Sequence, residues 1–293
     1  MQTSAAIAKR AKELVVNEGF NETCLGAVRI HLATSPIDRQ PILYDSWIVA
    51  LLQGEKTLHV GERRLLFDRE HVLCVIAGTQ VECEAAASPE HPLLSIVIEV
   101  NTEELLAMAP KIAASASTRA SDAHVMDLLP MTDALRAAFG RLVEHMHDPA
   151  EARVLGEGTI REIVFRVLRN GLAESLVALA ANRNTAAILG AIRTIQAGYR
   201  ESLSIDQLAQ DASMSASAFH AHFKKTTGRS PLSYIKGVRL GRAQELIGSG
   251  RSTVSEAAYA VGYNSASQFS REYKRHFGQS PVEHVPSVDV RPE

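Results

Sequence analysis

The chain has 293 residues, 46% of them hydrophobic, and a formal net charge of −2. That length favours two domains over one, and the apolar content excludes a disordered chain. No apolar run reaches the roughly 18–20 residues of a membrane span. Cys24, Cys74 and Cys83 are odd in number and lack CxxC spacing, which favours a reduced cytosolic protein over a disulfide framework or a zinc site.

In chain order, the first twenty residues read as a short amphipathic helix, without the apolar core and cleavage site of a signal peptide. Short β-type runs follow at Ala27–Leu32, Trp47–Leu52, Lys56–Val60, Arg63–Phe67, His71–Ile76, Gln80–Ala85 and Leu93–Val100. Turn signals separate them: Ser35-Pro36, Gln53-Gly54, Gly61-Glu62, Ala77-Gly78 and Ser88-Pro89. About seven strands at this spacing predict an antiparallel barrel or jelly-roll sandwich.

From Thr102-Glu103-Glu104 the pattern turns helical. Leu135, Phe139, Leu142, Val143 and Met146 form an apolar stripe on a helix at Thr132–His147, and Ile160, Ile163, Val164, Val167 and Leu168 form another. Residues 182–187 are small and polar and read as an interdomain linker. A helix over Ile188–Tyr199 then opens the second domain. Pro231–Ser249 predicts a long helix with Leu232, Ile235, Val238, Ala243, Leu246 and Ile247 on its buried face.

That second domain holds an internal repeat. Leu208-Ala209 and Ala212-Ser213-Met214 recur as Ala257-Ala258 and Val261-Gly262-Tyr263, 49 residues on; Phe219, Phe223, Gly228, Ser230 and Pro231 recur as Phe269, Tyr273, Gly278, Ser280 and Pro281, 50 residues on. The extra residue falls at the tight turn. Each copy is a short helix, a turn and a longer basic helix, the order of a helix-turn-helix, at about 205–226 and 254–277. Residues 186–285 carry a net charge of +5 and residues 1–185 a net −6, which suits a DNA-reading module joined to something else.

On a helical wheel Phe269, Tyr273, His276 and Phe277 face inward, whereas Ser267, Gln268, Arg271, Lys274 and Arg275 face out. Arg and Gln bond guanine and adenine edges in forks; Lys274 and Arg275 suit phosphates. In the first copy Phe219 and Phe223 are inward and His222 sits on the inward flank. Ser217, Ala218, Ala221, Lys224 and Lys225 face out, with His220 at the edge. The first unit therefore anchors through Lys224 and Lys225, with Ser217 and His220 its main polar readers, and the second carries most of the discrimination.

These residues resemble the AraC family of bacterial transcriptional regulators. The resemblance rests on Tyr234-Ile235, Arg239-Leu240, Ala243 and Leu246-Ile247 of the connecting helix, and on Gly262-Tyr263, the run 267–274 and the run 277–281 of the second unit. The N-terminal half is similar to one subgroup's cupin-like domain at 52–56, 87–93 and 161–168. The resemblance implies an α+β chain: a cupin-like antiparallel β-barrel with helices, then an all-α domain with two helix-turn-helix units. Its parts are an effector-sensing and dimerisation domain at 1–182, a linker at 183–187 and a DNA-binding domain at 188–287. It implies a cytoplasmic, nucleoid-associated regulator of promoter DNA, an activator working with RNA polymerase, controlled by a small effector in the barrel, and without a cofactor. Arg239 matches a family position that supports the domain, and an intradomain ion pair is the expected role, ahead of a phosphate contact.

Within the barrel, Trp47, Gln53 and Glu82 are candidate effector contacts, although each is equally readable as structural. A metal site is not expected: His59 is followed by Val60-Gly61, so the paired histidines of metal cupins are missing, and His31, His71 and His91 are scattered. The stripe on Thr132–His147 is a candidate dimer surface, or packs on its own barrel. Cys74 in an apolar run and Cys83 between Glu82 and Glu84 favour structural over redox-sensing thiols. An enzyme with a DNA-targeting domain and a ligand-free DNA-binding protein are the competing readings.

Overall fold

The computed structural model describes residues 4–60, 63–113, 125–248, 250 and 252–284. Ten strands form two sheets: β1 (Gly19–Glu22), β2 (Val28–Ala33), β3 (Ile37–Tyr44), β4 (Trp47–Gln53), β5 (Lys56–Val60), β6 (Arg63–Phe67), β7 (His71–Val75), β8 (Thr79–Ala85), β9 (Leu93–Glu99) and β10 (Met126–Pro130). One sheet runs β1-β2-β9-β4-β7-β10 and the other β3-β8-β5-β6, with every pair antiparallel. The two faces of the larger sheet meet different cores. Trp47, Val49 and Leu51 point between the sheets with Leu58, Phe67 and Val81, while Ile48, Ala50 and Leu52 point out into a helical layer. The period-2 alternation of side chains makes both faces apolar in one central strand.

Three strands lie outside those read from the sequence: β1, β3 and β10. All are sheet edges. β3 carries Pro41, which an edge accepts because one side of the strand needs no ladder bond. The turn expected at Gly61-Glu62 lies outside the described residues.

The helical layer comprises α1 (Ser4–Lys12), α2 (Thr102–Ala113), α3 (Asp133–His145), a single turn α4 (Pro149–Glu151), α5 (Glu157–Val167) and α6 (Ala173–Ala181), with a wider π-helical turn at Ala152–Gly156 and a kink at Asn170-Gly171 between α5 and α6. Thr132 caps α3 by accepting from Leu135 N. The α3 stripe is not a free surface: Leu135, Phe139, Leu142 and Val143 are fully buried in the chain's own core. It packs on its own barrel because the outer face of the larger sheet is itself apolar and must be covered.

The C-terminal helices are α7 (Arg183–Gly198), α8 (Ile205–Asp211), α9 (Ala216–Thr227), α10 (Pro231–Gly248), α11 (Val254–Ala260) and α12 (Ala266–Phe277). Residues 183–187, expected as an extended linker, are the first turn of α7. Asn182 caps that turn by accepting from Asn184 N and Thr185 N. Small polar residues suit a helix N-terminus as well as a loop, and this accounts for the difference. In α10, Ile235, Val238, Ala243 and Ile247 are buried as expected, whereas Leu232 is 52% exposed. Ser249 lies outside the described residues.

The core crosses the domain boundary. Phe219, Phe223, Tyr234, Ile235 and Val238 belong to the same apolar cluster as the outer face of the barrel, while Leu240, Val261, Phe269, Tyr273 and Phe277 form a separate one. The first helix-turn-helix is fused to the N-terminal half. The second has its own core.

Candidate nucleic-acid interface

Both repeat units are built by the same local devices. Ser204 caps α8 by accepting from Gln207 N at 3.3 Å. Thr253 and Glu256 close a capping box on α11, with Thr253 N donating to Glu256 Oε2 at 2.8 Å. The turns repeat bond for bond: Ser213 N donates to Gln210 O and Met214 N to Ala209 O, and Gly262 N donates to Tyr259 O and Tyr263 N to Ala258 O. Ser213 (φ +55) and Gly262 (φ +87) take the left-handed conformation this turn requires. Asn264 is the added residue before the second N-cap, so the change of offset from 49 to 50 is an insertion at the turn.

Ser215 and Ser265 then cap α9 and α12, accepting from Ala218 N and Gln268 N at 3.3 Å each. Gly228 (φ +77) and Gly278 (φ +78) end both helices, their N–H groups donating to Lys224 O and Lys274 O. Phe219, Phe223 and Thr227 are buried in one helix, and Phe269, Tyr273 and Phe277 at the same positions in the other. The ring pairs Phe219–Phe223 and Phe269–Tyr273 lie 5.5 and 5.4 Å apart.

With the buried faces fixed, all ten residues read from the sequence as DNA contacts are exposed: Ser217, His220, Ala221, Lys224 and Lys225 on α9, and Ser267, Gln268, Arg271, Lys274 and Arg275 on α12. Their surroundings differ. Among the described residues Arg271 makes no ion pair or hydrogen bond. Gln268 Nε2 donates to Glu272 Oε1 at 3.3 Å. Glu272 is also held by Lys236 (2.9 Å) and Tyr263 (3.0 Å). Burial raises its pKa, yet these hydrogen bonds keep the carboxyl below the usual range. The acidic residue of α12 is thereby neutralised sideways, away from the basic face.

Lys225, with His222, instead lines a cleft of about 950 Å³ between α9, the start of α7 and the smaller sheet, shared with Arg39, His59, Arg63 and Arg229. His222 Nε2 lies 3.2 Å from Asn184 Nδ2, so its place on the inward flank is a contact within the helical half.

Arg239 supports the domain, but not by an ion pair. Its guanidinium donates to three backbone carbonyls: Tyr199 O at 2.6 Å, Glu201 O at 2.7 Å and Gly262 O at 3.2 Å. The planar fork serves the three carbonyls from three separate nitrogens, whereas a lysine would have to direct all its donors from one atom. It ties the end of α7 to the turn of the second unit.

A polar latch joins the halves. Asp45, in the β3–β4 turn and 6% exposed, pairs with Arg242 of α10 at 2.6 Å and accepts from Gln196 Nε2 at 3.2 Å. Tyr234 OH donates to Gly78 O. Burial pushes the Asp45 carboxyl up despite the Arg242 charge, so the cost of removing it arises mainly from Arg242 left without its buried partner. Asp45→Ala is expected to lower stability by about 1–2 kcal/mol, at the low end for a broken pair because Arg242 is partly solvated and keeps Glu245. Urea unfolding of the full chain measures it; an unchanged midpoint would reject the latch.

The three effector candidates do not converge. Trp47 lies inside the barrel, 2% exposed. Gln53 ends β4 at a register shift. Glu82 is on the outside of β8, bonded to Arg39 at 2.6 Å and facing the interdomain cleft. As neighbours of the barrel interior, sequence reading passed over Arg29 and Tyr44, which contact Trp47, Lys56, which lies over Tyr44, and His31, whose ring meets Phe20. One signal was available: Lys56 shares the inward face of β5 with fully buried Leu58. Cys74 and Cys83 are buried and burial raises both thiols, whereas Cys24 is exposed. Among the described residues no three His, Cys, Asp or Glu side chains are placed to hold a metal ion, and no helix is long and apolar enough to cross a membrane.

The comparisons with known proteins agree with this architecture. Residues 208–285 match a helix-turn-helix domain model. The HTH-type transcriptional activator RhaS of Salmonella paratyphi A is 29% identical over 140 residues, covering 48% of this chain and 49% of that protein. RhaS of Escherichia coli O1:K1 / APEC is 27% identical over 147 residues, covering 48% and 51%. The chain spans about half the length of the curated relatives it matches. Among solved structures, ToxT from Vibrio cholerae with bound unsaturated fatty acid superposes with a TM-score of 0.62 at 11% identity, over 94% of this chain and 98% of that one, a likeness of fold. Residues 25–175, just over half of the chain, match the model of the AraC-type transcriptional regulator N-terminus, and the chain belongs to the AraC family of transcriptional regulators.

Proposed function

We propose that the chain is a sequence-specific DNA-binding regulator that holds two successive major-groove segments of a promoter, one with α9 and one with α12, about 34 Å apart on one face of the duplex. The observation that carries this is the pair of recognition helices with one buried frame and two exposed, differently equipped faces. Ser217, His220, Ala221, Lys224 and Lys225 anchor; Ser267, Gln268 and Arg271 read, with Lys274 and Arg275 on phosphates. Lys225 reaches DNA only by turning from the interdomain cleft. Residues 1–182 sense a small effector and dimerise, 183–187 join the halves, and 188–287 bind DNA. Activation through RNA polymerase in the cytoplasm is the proposed outcome, supported by the likeness to RhaS, named as an activator. An effector in the N-terminal half is supported by the likeness to ToxT, solved with a fatty acid.

The test is selection of bound sites from random DNA, followed by base-by-base affinity measurement. Wild type is expected to select two elements one helical turn apart. Arg271→Ala is expected to lose about 1–3 kcal/mol at one base pair and to relax preference there. Lys224→Ala is expected to weaken all sequences alike and to reduce the salt slope by about one. Equal weakening of every sequence by Arg271→Ala would reject the division between reader and anchor.

A further inference from the structure

We propose that the interdomain cleft cradles one sugar–phosphate strand of the DNA duplex, so that Arg39 and Arg63 of the N-terminal half contact the backbone beside the groove that α9 enters. This rests on the reading of α9 as a major-groove helix, and adds a DNA contact outside residues 188–287.

The place of the cleft follows from helix geometry. A helix with its side chains is about 10–12 Å across and the major groove about 12 Å wide, so a helix seated there has a phosphate strand along each flank. On α9, buried Phe219, Phe223 and Thr227 point away from the groove, and Ala221 marks the middle of the outward face. Lys225 lies about 40° round the helix from Ala221, and His222 about 100° in the same sense. Both line the cleft. Lys224 falls about 60° the other way, toward the opposite wall. The cleft therefore opens along one flank of α9, where a groove wall would run.

Its sides carry charge of one sign. Arg39 of β3 and Arg63 of β6 stand on the sheet side, Lys225 and Arg229 on the helix side. Among the described lining residues Glu82 is the one acid, and Arg39 holds it at 2.6 Å. The next acid of β8, Glu84, lies 3.0 Å from His59. Among the described residues Arg63, Lys225 and Arg229 make no ion pair. Like charges facing one another across a cleft repel, and an anion between them reverses the sign.

Shape favours a strand over a small ion. Exposed Arg39, Arg63, Lys225 and Gly228 form the mouth, and buried Val81, Met126, Leu179 and Thr227 the floor. The cleft holds about 950 Å³, some thirty times the ~30 Å³ that one water occupies in the liquid. A site for one small ion converges a few polar groups on an enclosed point. Here the cations are spread along the rim of a wide opening, and a polyanion passing along that rim meets them in turn. Lys225 has only to turn from the cleft to its mouth to join them. The smaller sheet thereby helps to set α9 on the duplex without reading a base, since phosphate contacts position and carry no sequence.

The experiment measures affinity of the full chain for the selected DNA across a salt series, with ethylation interference to locate the phosphates. Arg63→Ala and Arg39→Ala are each expected to reduce the salt slope by about one and to leave base preference unchanged. Arg63 is exposed and unpaired among the described residues, so its variant should keep the wild-type melting temperature. Arg63→Lys is expected to keep the slope, as is Arg153→Ala, on an exposed turn of the helical layer. One phosphate beside the α9 element should weaken wild type when ethylated and have no further effect on Arg63→Ala. An unchanged slope in both the Arg39 and the Arg63 variants overturns the cradle. So does an equal loss in Arg153→Ala, which would be an effect of net charge. Saturable binding of inorganic phosphate through Arg63, with the DNA slope unchanged, assigns the cleft to a free anion and overturns it too. A wild-type chain that selects no DNA removes the regulator and the cradle together. A chain that selects two elements with a slope indifferent to Arg39 and Arg63 loses the cradle alone.

Discussion

Gly262→Ala is expected to destabilise the second helix-turn-helix by about 4 kcal/mol and to abolish DNA binding by α12. Two costs add. Gly262 has φ +87, where a Cβ carries a penalty of about 1–2 kcal/mol. A Cβ built there would also lie 2.3 Å from Arg200 O and 2.9 Å from Arg200 C. That neighbour is backbone and cannot rotate away, so the chain must shift, at about 1–3 kcal/mol for an overpacked position. Gly278 supplies the control. Its φ is +78, yet nothing lies within 4 Å of a Cβ there, so Gly278→Ala is expected to cost only about 1–2 kcal/mol. Denaturant unfolding of both variants decides the matter. Equal losses would show that the approach of Arg200 carries no weight.

Arg239→Ala is expected to cost about 3 kcal/mol. Three hydrogen bonds from a charged donor, each worth about 1.5–3 kcal/mol when partly buried, set an upper bound well above that figure. Water reaching the freed carbonyls of Tyr199 and Glu201 returns part of it, because the Glu201 contact is exposed. Arg239→Lys keeps the charge but not the fork, and should recover less than half. The loss should be larger for unfolding of the second unit than of the first, because the Gly262 turn is one of the three points tied. Hydrogen exchange at α11 and α12 against α8 and α9 measures this. Uniform protection loss across both units would place Arg239 in a different role.

The latch and the divided core give these local effects a functional direction. The first unit shares an apolar cluster with the outer face of the barrel, Asp45 and Gly78 hold α10 against the turns of the sheets, and Asp45 also holds Gln196 of α7. The second unit has its own cluster. The helical layer on the outer face of the larger sheet is therefore packed continuously onto α9, while α12 sits in a separate core.

Much of the DNA-facing half was legible in the sequence because its information is local. Capping residues, a left-handed turn and aromatics at every fourth position lie within one helix-turn-helix, and a second copy tests each assignment of the first. Central strands were legible for the same reason, as apolar runs with turn residues between them. The edge strands β1, β3 and β10 were not. An edge is paired on one side and partly solvated, so its residues need not be apolar, and Pro41 even argues against a strand. The start of α7 was also hidden, since Asn, Thr and Ala serve a helix cap and a linker equally.

The sequence by itself determined the class of the protein, its two helix-turn-helix units and which faces of their longer helices are free. Those follow from periodicity and from an internal repeat, which need no knowledge of distant contacts. Only the tertiary structure decided that the α3 stripe covers the chain's own barrel, that Arg239 serves three carbonyls, and that Asp45 meets Arg242. Each of these joins residues far apart along the chain, so no local pattern carries it.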